Sequence, residues 1–156
     1  MADLTVNITE SLVLNGSARG SSNSLTITNI ESVYERIVKV PANSDGTVVL
    51  TKDTISSSDG ALDIQDTKYI RITNLDSTNN VNLSLQIDRG NNDSSADASV
   101  TVSLPAGHTF MMGTPHDALA VLDDSATIDT AMKDLESIIV DSADQDVIVE
   151  VFVAGL

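Results

Sequence analysis

The chain has 156 residues, and its 8 Lys and Arg residues against 23 Asp and Glu residues give a formal net charge of −15. Phosphate backbones and anionic membrane surfaces bind clustered positive charge, so this balance argues against nucleic acid and membrane as direct partners. The lack of cysteine excludes disulfides and thiolate metal sites, and no apolar run approaches the roughly 20 residues of a membrane-spanning helix.

Alternating apolar and polar residues, the pattern of a strand with one buried face, recur along the chain. The alternating segments are residues 4–8, 25–30, 68–74, 81–88 and 146–154. Shorter apolar segments that favour further strands are residues 34–40, 46–50, 100–104, 108–112, 119–122 and 137–140.

The residues between these segments predict how the strands are connected. Residues 15–23 are rich in Asn, Ser and Gly, and we interpret them as one long turn. Residues 11–14 extend or follow the first strand, and residues 130–136 are compatible with one or two helical turns within the ambiguous segment 125–136. The predicted hairpins pair residues 34–40 with 46–50, 68–74 with 81–88, and 100–104 with 108–112.

Together these segments predict an all-β fold, a β-sandwich of jelly-roll type with about nine to eleven short strands. We expect residues 1–156 to form a single sandwich domain, because the length and the 41% hydrophobic content suit one core. Residues 1–14 are expected to form an extended N-terminal arm or an edge strand.

The residue patterns of catalytic and metal sites do not assemble in this sequence. His108 and His116 lie eight residues apart, which is not the spacing of a helical zinc motif, although acidic residues follow at Asp117, Asp123 and Asp124. The polar loop with Asn91, Asn92, Asp93 and Asp97 lacks the glycine that an EF-hand has at its sixth position. We therefore predict no catalytic residue, no cofactor and no metal site, and a protein that is not an enzyme.

The order of several short motifs along the chain adds to this interpretation. A strand ends in Thr73-Asn74, a second strand follows, and Leu104-Pro105-Ala106-Gly107 then leads into another apolar strand. This succession resembles small structural proteins of tailed bacteriophage particles, over roughly residues 25–154. The resemblance implies a β-sandwich or jelly-roll protein that decorates the capsid or joins neck and tail parts.

The expected function is that of a capsid decoration or cement protein, which binds the major capsid protein and stabilises the shell. Such a protein is made in the host cytoplasm and lies on the outer capsid surface of the virion, and we expect a homo-oligomer, with a trimer favoured. One alternative is a neck, tail or fibre-associated adaptor of the same particle. Another is a glycan-binding module, against which the low aromatic content of 3% and the lack of Trp argue.

Two apolar surfaces are candidates for the contact with a partner. The first is the N-terminal segment, and the second is the face of the last strand on which two apolar residues flank Glu150. The candidate interface residues are Ala2, Leu4, Val6, Ile8, Ile148 and Phe152. The alternative is that these side chains fill the core of their own chain, and deletion of residues 1–7 would distinguish the two cases.

Overall fold

A computed structural model describes residues 1–53, 60–88, 98–121, 128 and 130–156, and these residues form thirteen β-strands and no helix. The strands are Ala2–Thr9 (β1), Leu12–Leu14 (β2), Ser17–Arg19 (β3), Ser22–Ile30 (β4), Ser32–Val40 (β5), Asp45–Lys52 (β6), Leu62–Asp63 (β7), Thr67–Asn74 (β8), Val81–Asp88 (β9), Ala98–Leu104 (β10), Thr109–Met112 (β11), Asp134–Asp141 (β12) and Val147–Gly155 (β13). The all-β prediction is confirmed, and three of the strands, β2, β3 and β7, are only two or three residues long.

Two sheets form the sandwich. The five-stranded sheet has the order β10-β9-β12-β6-β7, and the four-stranded sheet has the order β11-β8-β13-β5. Eight strands of the two sheets pair as nested antiparallel couples, β5 with β13, β6 with β12, β8 with β11, and β9 with β10. This winding is that of a jelly roll, in which successive couples alternate between the two sheets.

The core lies between the inner faces of the two sheets and is aliphatic. Every second side chain of the long strands points into it, as the alternation in the sequence predicted. The last strand shows this most clearly, because Val147, Val149, Val151 and Val153 are all buried while Ile148 and Phe152 lie on the outer face. Fully buried side chains from the other strands include Ile70, Ile72, Leu83, Leu135 and Ile138.

Asn74, at the end of β8, is a fully buried polar residue. Its side-chain amide donates to the backbone carbonyls of Asn79 (2.8 Å) and Leu104 (3.1 Å), and its side-chain oxygen accepts from the backbone N–H of Asp76 (3.0 Å). Burial without such partners would be unfavourable. Asn74 therefore fixes the turn after β8 to the end of β10, on the opposite sheet.

The three predicted hairpins are wrong. The predicted partners β5 and β6 lie in different sheets, because β5 pairs with β13 and β6 pairs with β12. The predicted partners β8 and β9 also lie in different sheets, and so do β10 and β11. In this jelly roll the connections between the paired strands cross from one sheet to the other, except that β9 and β10 follow each other within the same sheet. Most strand positions were predicted correctly, but a short polar connection between two alternating segments does not reveal whether it turns within a sheet or crosses the sandwich.

Several local expectations are corrected as well. Residues 15–23 do not form one long turn, because β3 and the start of β4 lie within them. Leu119 forms only an isolated bridge with Lys133, so residues 119–121 are not a strand. Residues 130–133 form no helical turn, and residues 134–136 belong to β12. The loop of Asn91, Asn92, Asp93 and Asp97, and the acidic pair Asp123 and Asp124, lie outside the described residues.

Candidate functional site

The most distinctive surface is carried by residues 2–30, which we call the N-terminal hairpin. Its base consists of β1 and β4, paired antiparallel from Ala2 and Ile30 to Thr9 and Ser22. Its tip, residues 12–19, consists of β2 and β3. The turn between them is Asn15-Gly16, and both residues have positive φ (52° and 77°), as a type I′ turn requires. This Asn-Gly signal was present in the sequence, but the surrounding Ser and Gly residues concealed it.

Gly20 lies where the tip meets the base. Its φ is 116°, and a Cβ at this position would lie 2.1 Å from the backbone oxygen of Glu10. No other residue fits that approach without a shift of the backbone. The junction between the tip and the base of the hairpin therefore depends on glycine.

The base of the hairpin packs on the outer face of the four-stranded sheet. Buried Ile30, Tyr69 and Ala154 form a second, smaller apolar cluster, and Leu4, Val6, Ile27 and Phe152 pack against it. The Tyr69 and Phe152 rings meet edge to face at 6.2 Å, and burial raises the pKa of the Tyr69 hydroxyl above its ordinary value, with Arg71 opposing that shift. This cluster holds the hairpin on the sandwich.

Contact between hairpin and sheet is incomplete. Two clefts of about 280 and 500 Å³ run along β1, between it and the outer face of β8 and β11. Ile8 and Met111 line both of them and remain partly exposed. Arg71 lines the larger cleft, where it forms an ion pair with Glu150 (2.6 Å) and lies over the Phe152 ring.

The tip of the hairpin has no such support. Leu12, Val13 and Leu14 are 57%, 71% and 54% exposed, and every residue of β2 and β3 is exposed. A two-stranded ribbon by itself is at best marginally stable in water. Leu12 and Leu14 share one face of this ribbon and Val13 lies on the other. Exposed apolar side chains on both faces of such a ribbon are typical of an element that another molecule covers.

Charge is distributed unevenly along the chain. Residues 1–44 hold four of the 23 acidic residues and three of the eight basic residues, so their net charge is −1. The remaining residues carry −14. Nearly all of the acidity therefore belongs to the strands and loops that follow the hairpin and β5. The hairpin is an almost neutral element with exposed apolar side chains at its tip, on a strongly acidic protein.

Of the six predicted interface residues, three are half-buried beneath the hairpin and three are exposed. Leu4, Val6 and Phe152 are half-buried in the cluster beneath the hairpin, whereas Ala2 and Ile8 are exposed on β1. Ile148 is exposed on the outer face opposite Lys39, and it is not part of this cluster. Three of the six thus pack within their own chain. Sequence reasoning missed the more exposed apolar residues of β2.

Within the described part of the chain, one cluster could offer atoms to a metal ion. His116, Asp117 and Asp134 each place a ligand atom within 4.8 Å of the others. Existing contacts account for this proximity: the Asp117 carboxylate lies 3.3 Å from His116 Nδ1, and Asp134 accepts the Asp117 backbone N–H at 2.7 Å. Three partly exposed groups are fewer than the four of a closed zinc site. His108 lies elsewhere, with its Nδ1 3.0 Å from the Ala106 carbonyl.

Aromatic side chains offer little to a sugar. The four aromatic residues of the chain all lie in its described part, and none of them is exposed: Tyr69 is buried, and Tyr34, Phe110 and Phe152 are half-buried. Sugar-binding surfaces commonly use exposed aromatic faces. The glycan-binding alternative therefore has no stacking platform among these residues.

Within the described part of the chain, no helix has the length and apolar character needed to cross a membrane. Comparisons with protein-family models, with curated proteins and with solved structures found no match to this chain.

Proposed function

We propose that this protein is a non-enzymatic structural subunit that attaches to a larger protein shell through the tip of its N-terminal hairpin. The shell expected from the sequence resemblance is a bacteriophage capsid, and the partner is then its major capsid protein. The observation that carries the proposal is the exposure of Leu12, Val13 and Leu14 on an unsupported two-stranded ribbon.

Energetic reasoning supports an attachment role for this element. Covering an apolar side chain removes its surface from water, at about 25 cal/mol per Å². The ribbon already has its two strands paired, so binding would not require ordering of a disordered segment. A single tip covers less area than the ~1,200–2,000 Å² of a stable interface, but repetition over a symmetric lattice strengthens modest contacts.

The charge distribution also supports attachment through the hairpin. The almost neutral hairpin can approach a protein surface without strong repulsion, while the acidic remainder faces solvent and disfavours nucleic acid. A jelly roll with a projecting hairpin also suits a role in which surfaces, and not a pocket, perform the function. Fold alone does not establish this, since jelly rolls serve many functions.

The first experiment measures copy number. Quantitative mass spectrometry of purified phage particles gives the molar ratio of this chain to the major capsid protein. A simple ratio that corresponds to hundreds of copies supports capsid decoration. A few to a few tens of copies would assign the chain to neck, tail or fibres, and absence from washed particles would contradict a virion role.

The second experiment tests the hairpin tip directly. Val13→Asp is expected to weaken binding to particles stripped of the protein by at least about tenfold, because a central apolar contact is lost. Val33→Asp is the matched control, since Val33 is also an exposed strand valine (57%) but lies on the outer face of β5 in the four-stranded sheet. Equal binding of both variants and the wild type would contradict attachment through the tip.

A further inference from the structure

A second interaction surface lies at the free edge of the four-stranded sheet. β5 pairs with β13 along its whole length, from Ser32 to Val40, and no strand of the described residues pairs with its other side. Alternate backbone N–H and C=O groups of a nine-residue edge strand can therefore accept another strand. Such edges are a recurring route to association through main-chain hydrogen bonds.

The exposed side chains of this edge have an unusual arrangement. Glu35, Ile37 and Lys39 alternate along β5 and so share the outer face, opposite Phe152, Glu150 and Ile148 of β13 respectively. Ile37 is 68% exposed, and a negative and a positive charge stand two residues to either side of it. Within the described residues, the Glu35 carboxylate has no ion-pair partner, whereas the Lys39 ammonium contacts Asp146 of its own chain (2.5 Å). An ammonium has three donors, so Lys39 can contact a second carboxylate as well.

We propose that β5 pairs antiparallel with β5 of a second copy of this chain, with the two Ile37 residues opposite each other at a two-fold axis. This register places Glu35 of each copy opposite Lys39 of the other, and it forms that ion pair twice. Opposite charges directly across an antiparallel pair are favourable. The two four-stranded sheets then join into one continuous eight-stranded sheet.

Neighbouring registers are less favourable. A two-fold axis at Arg36 would place two guanidinium groups opposite each other, and an axis at Glu35 would oppose two carboxylates. An axis at Val38 would place Lys39 opposite Ile37. Pro41, which has no N–H to donate, ends the ladder four residues after Ile37. The pairing therefore covers residues 34–40, a segment symmetric about Ile37.

The other long edge of the sandwich does not specify a partner in this way. β10 carries Ser, Thr and Val but no charged residue, so no register of self-pairing is selected by charge. Charges on an edge strand can also serve to prevent association. What distinguishes β5 is that its opposite charges occupy symmetric positions. The contact does not depend on the proposed attachment to a shell, because it uses β5 and not the hairpin tip.

The lack of cysteine in this chain permits a direct test. In the proposed register Ile37→Cys places two thiols on directly opposite residues, whose Cα separation of about 4.5–5.5 Å suits a disulfide. We expect this variant to form a covalent dimer under mild oxidation. Val33→Cys is the matched control, since it is exposed on the same face of the same strand but lies about 26 Å from its counterpart across the axis.

Charge exchange provides an independent test in solution. Sedimentation from micromolar to millimolar concentration should show a wild-type dimer of twice the 16.4 kDa chain mass. Glu35→Lys and Lys39→Glu should each weaken that dimer by on the order of tenfold, because attraction becomes repulsion at two sites. The double exchange should restore it.

Three outcomes would overturn the proposal. The first is a wild type that stays monomeric at every concentration, which would leave the edge to another partner or to no partner. The second is equal cross-linking of the Ile37→Cys and Val33→Cys variants, which would contradict the register. The third is a doubly exchanged variant as weak as the single ones. Circular dichroism confirms that each variant retains its fold.

Discussion

The jelly-roll sandwich and the N-terminal hairpin are both built from antiparallel strands, but they bury their apolar residues very differently. In the sandwich, strands such as β13 alternate cleanly, and their inward valines are almost completely buried. In the hairpin, Leu4 and Val6 of β1 are half-buried, Ile8 is exposed, and every residue of β2 is exposed. Exposure increases along the hairpin from its base to its tip.

This difference in burial separates the residues that stabilise the fold from those that are available to contact a partner. The sandwich contains the main apolar core, whereas every residue of β2 and β3 in the tip is exposed. An exposed apolar element is stabilised only when another molecule covers it and removes its surface from water. We therefore expect substitutions in the sandwich to change the free energy of unfolding, and substitutions in the tip to change association.

Ile72→Ala should have the largest effect on stability. Ile72 is fully buried on β8, between Phe110 of β11 and Val151 of β13. Removing its side chain leaves a cavity in a packed core, so we expect a loss of about 2–5 kcal/mol in the free energy of unfolding. Urea denaturation measures this loss. Val33→Ala on the exposed face of β5 is the control and should change stability by less than about 0.5 kcal/mol, since Val33 lies outside the proposed contact segment.

Asn74→Ala should have the next largest effect on stability. It removes the side chain that joins the turn after β8 to the end of β10, and it leaves the carbonyl of Leu104 without its side-chain donor. We expect a loss of about 2–3 kcal/mol by urea denaturation. Asn82→Ala is the control, because half-buried Asn82 makes a single side-chain hydrogen bond with Asp141 (3.3 Å). Similar losses for both variants would show that the Asn74 network contributes little.

Shortening the hairpin should separate its tip from its base. Glu10 and Ser21 are joined by a backbone hydrogen bond of 2.8 Å, so an Asn-Gly turn in place of residues 11–20 can close the shortened hairpin. Unfolding free energy should change by less than about 0.5 kcal/mol. Leu4→Ala, in the base, should lower it by about 1–2 kcal/mol, because Leu4 packs on the sandwich. A large loss from the shortened variant would contradict the division between tip and base.

The same comparison shows what could be predicted from the sequence. Alternation identified most long strands and their buried faces, as for Val147 and Val149, because it reports which side chains avoid water. Pairing was not predictable in this way. The Asp76 turn after β8 looks like a hairpin turn, but in the structure it carries the chain to the opposite sheet, and only the packing of the whole sandwich determines that path.

The candidate surfaces were predictable only in part. Residues 4 and 6 alternate regularly, so they were recognised as apolar, but their contacts with Tyr69 and Phe152 depend on a fold that the pattern does not encode. The tip residues were overlooked because three consecutive apolar residues, Leu12 to Leu14, match no alternating pattern. Whether β5 lies at an edge depends on the order of the strands in the sheet, which the sequence pattern does not give. Its charged side chains can select a partner strand only if that edge is unpaired.

The smallest expected effect concerns pH, at the end of the sandwich where Asp146 meets β5. A hydrogen bond from Lys39 Nζ (2.5 Å), and then one from the Ala42 N–H (2.9 Å), lower the pKa of Asp146 below its ordinary 3.8. Because the folded-state pKa is the lower one, the stabilising contribution is present above pH 3.8 and is lost as the pH falls through the folded-state pKa. Asp146→Asn should therefore make the acid-induced loss of stability less steep below about pH 4. Urea titrations at a series of pH values, on dilute protein so that self-association does not interfere, measure that slope. In a Lys39→Gln background the same substitution should change it less, and an equal change in both backgrounds would show that the lysine does not cause the shift.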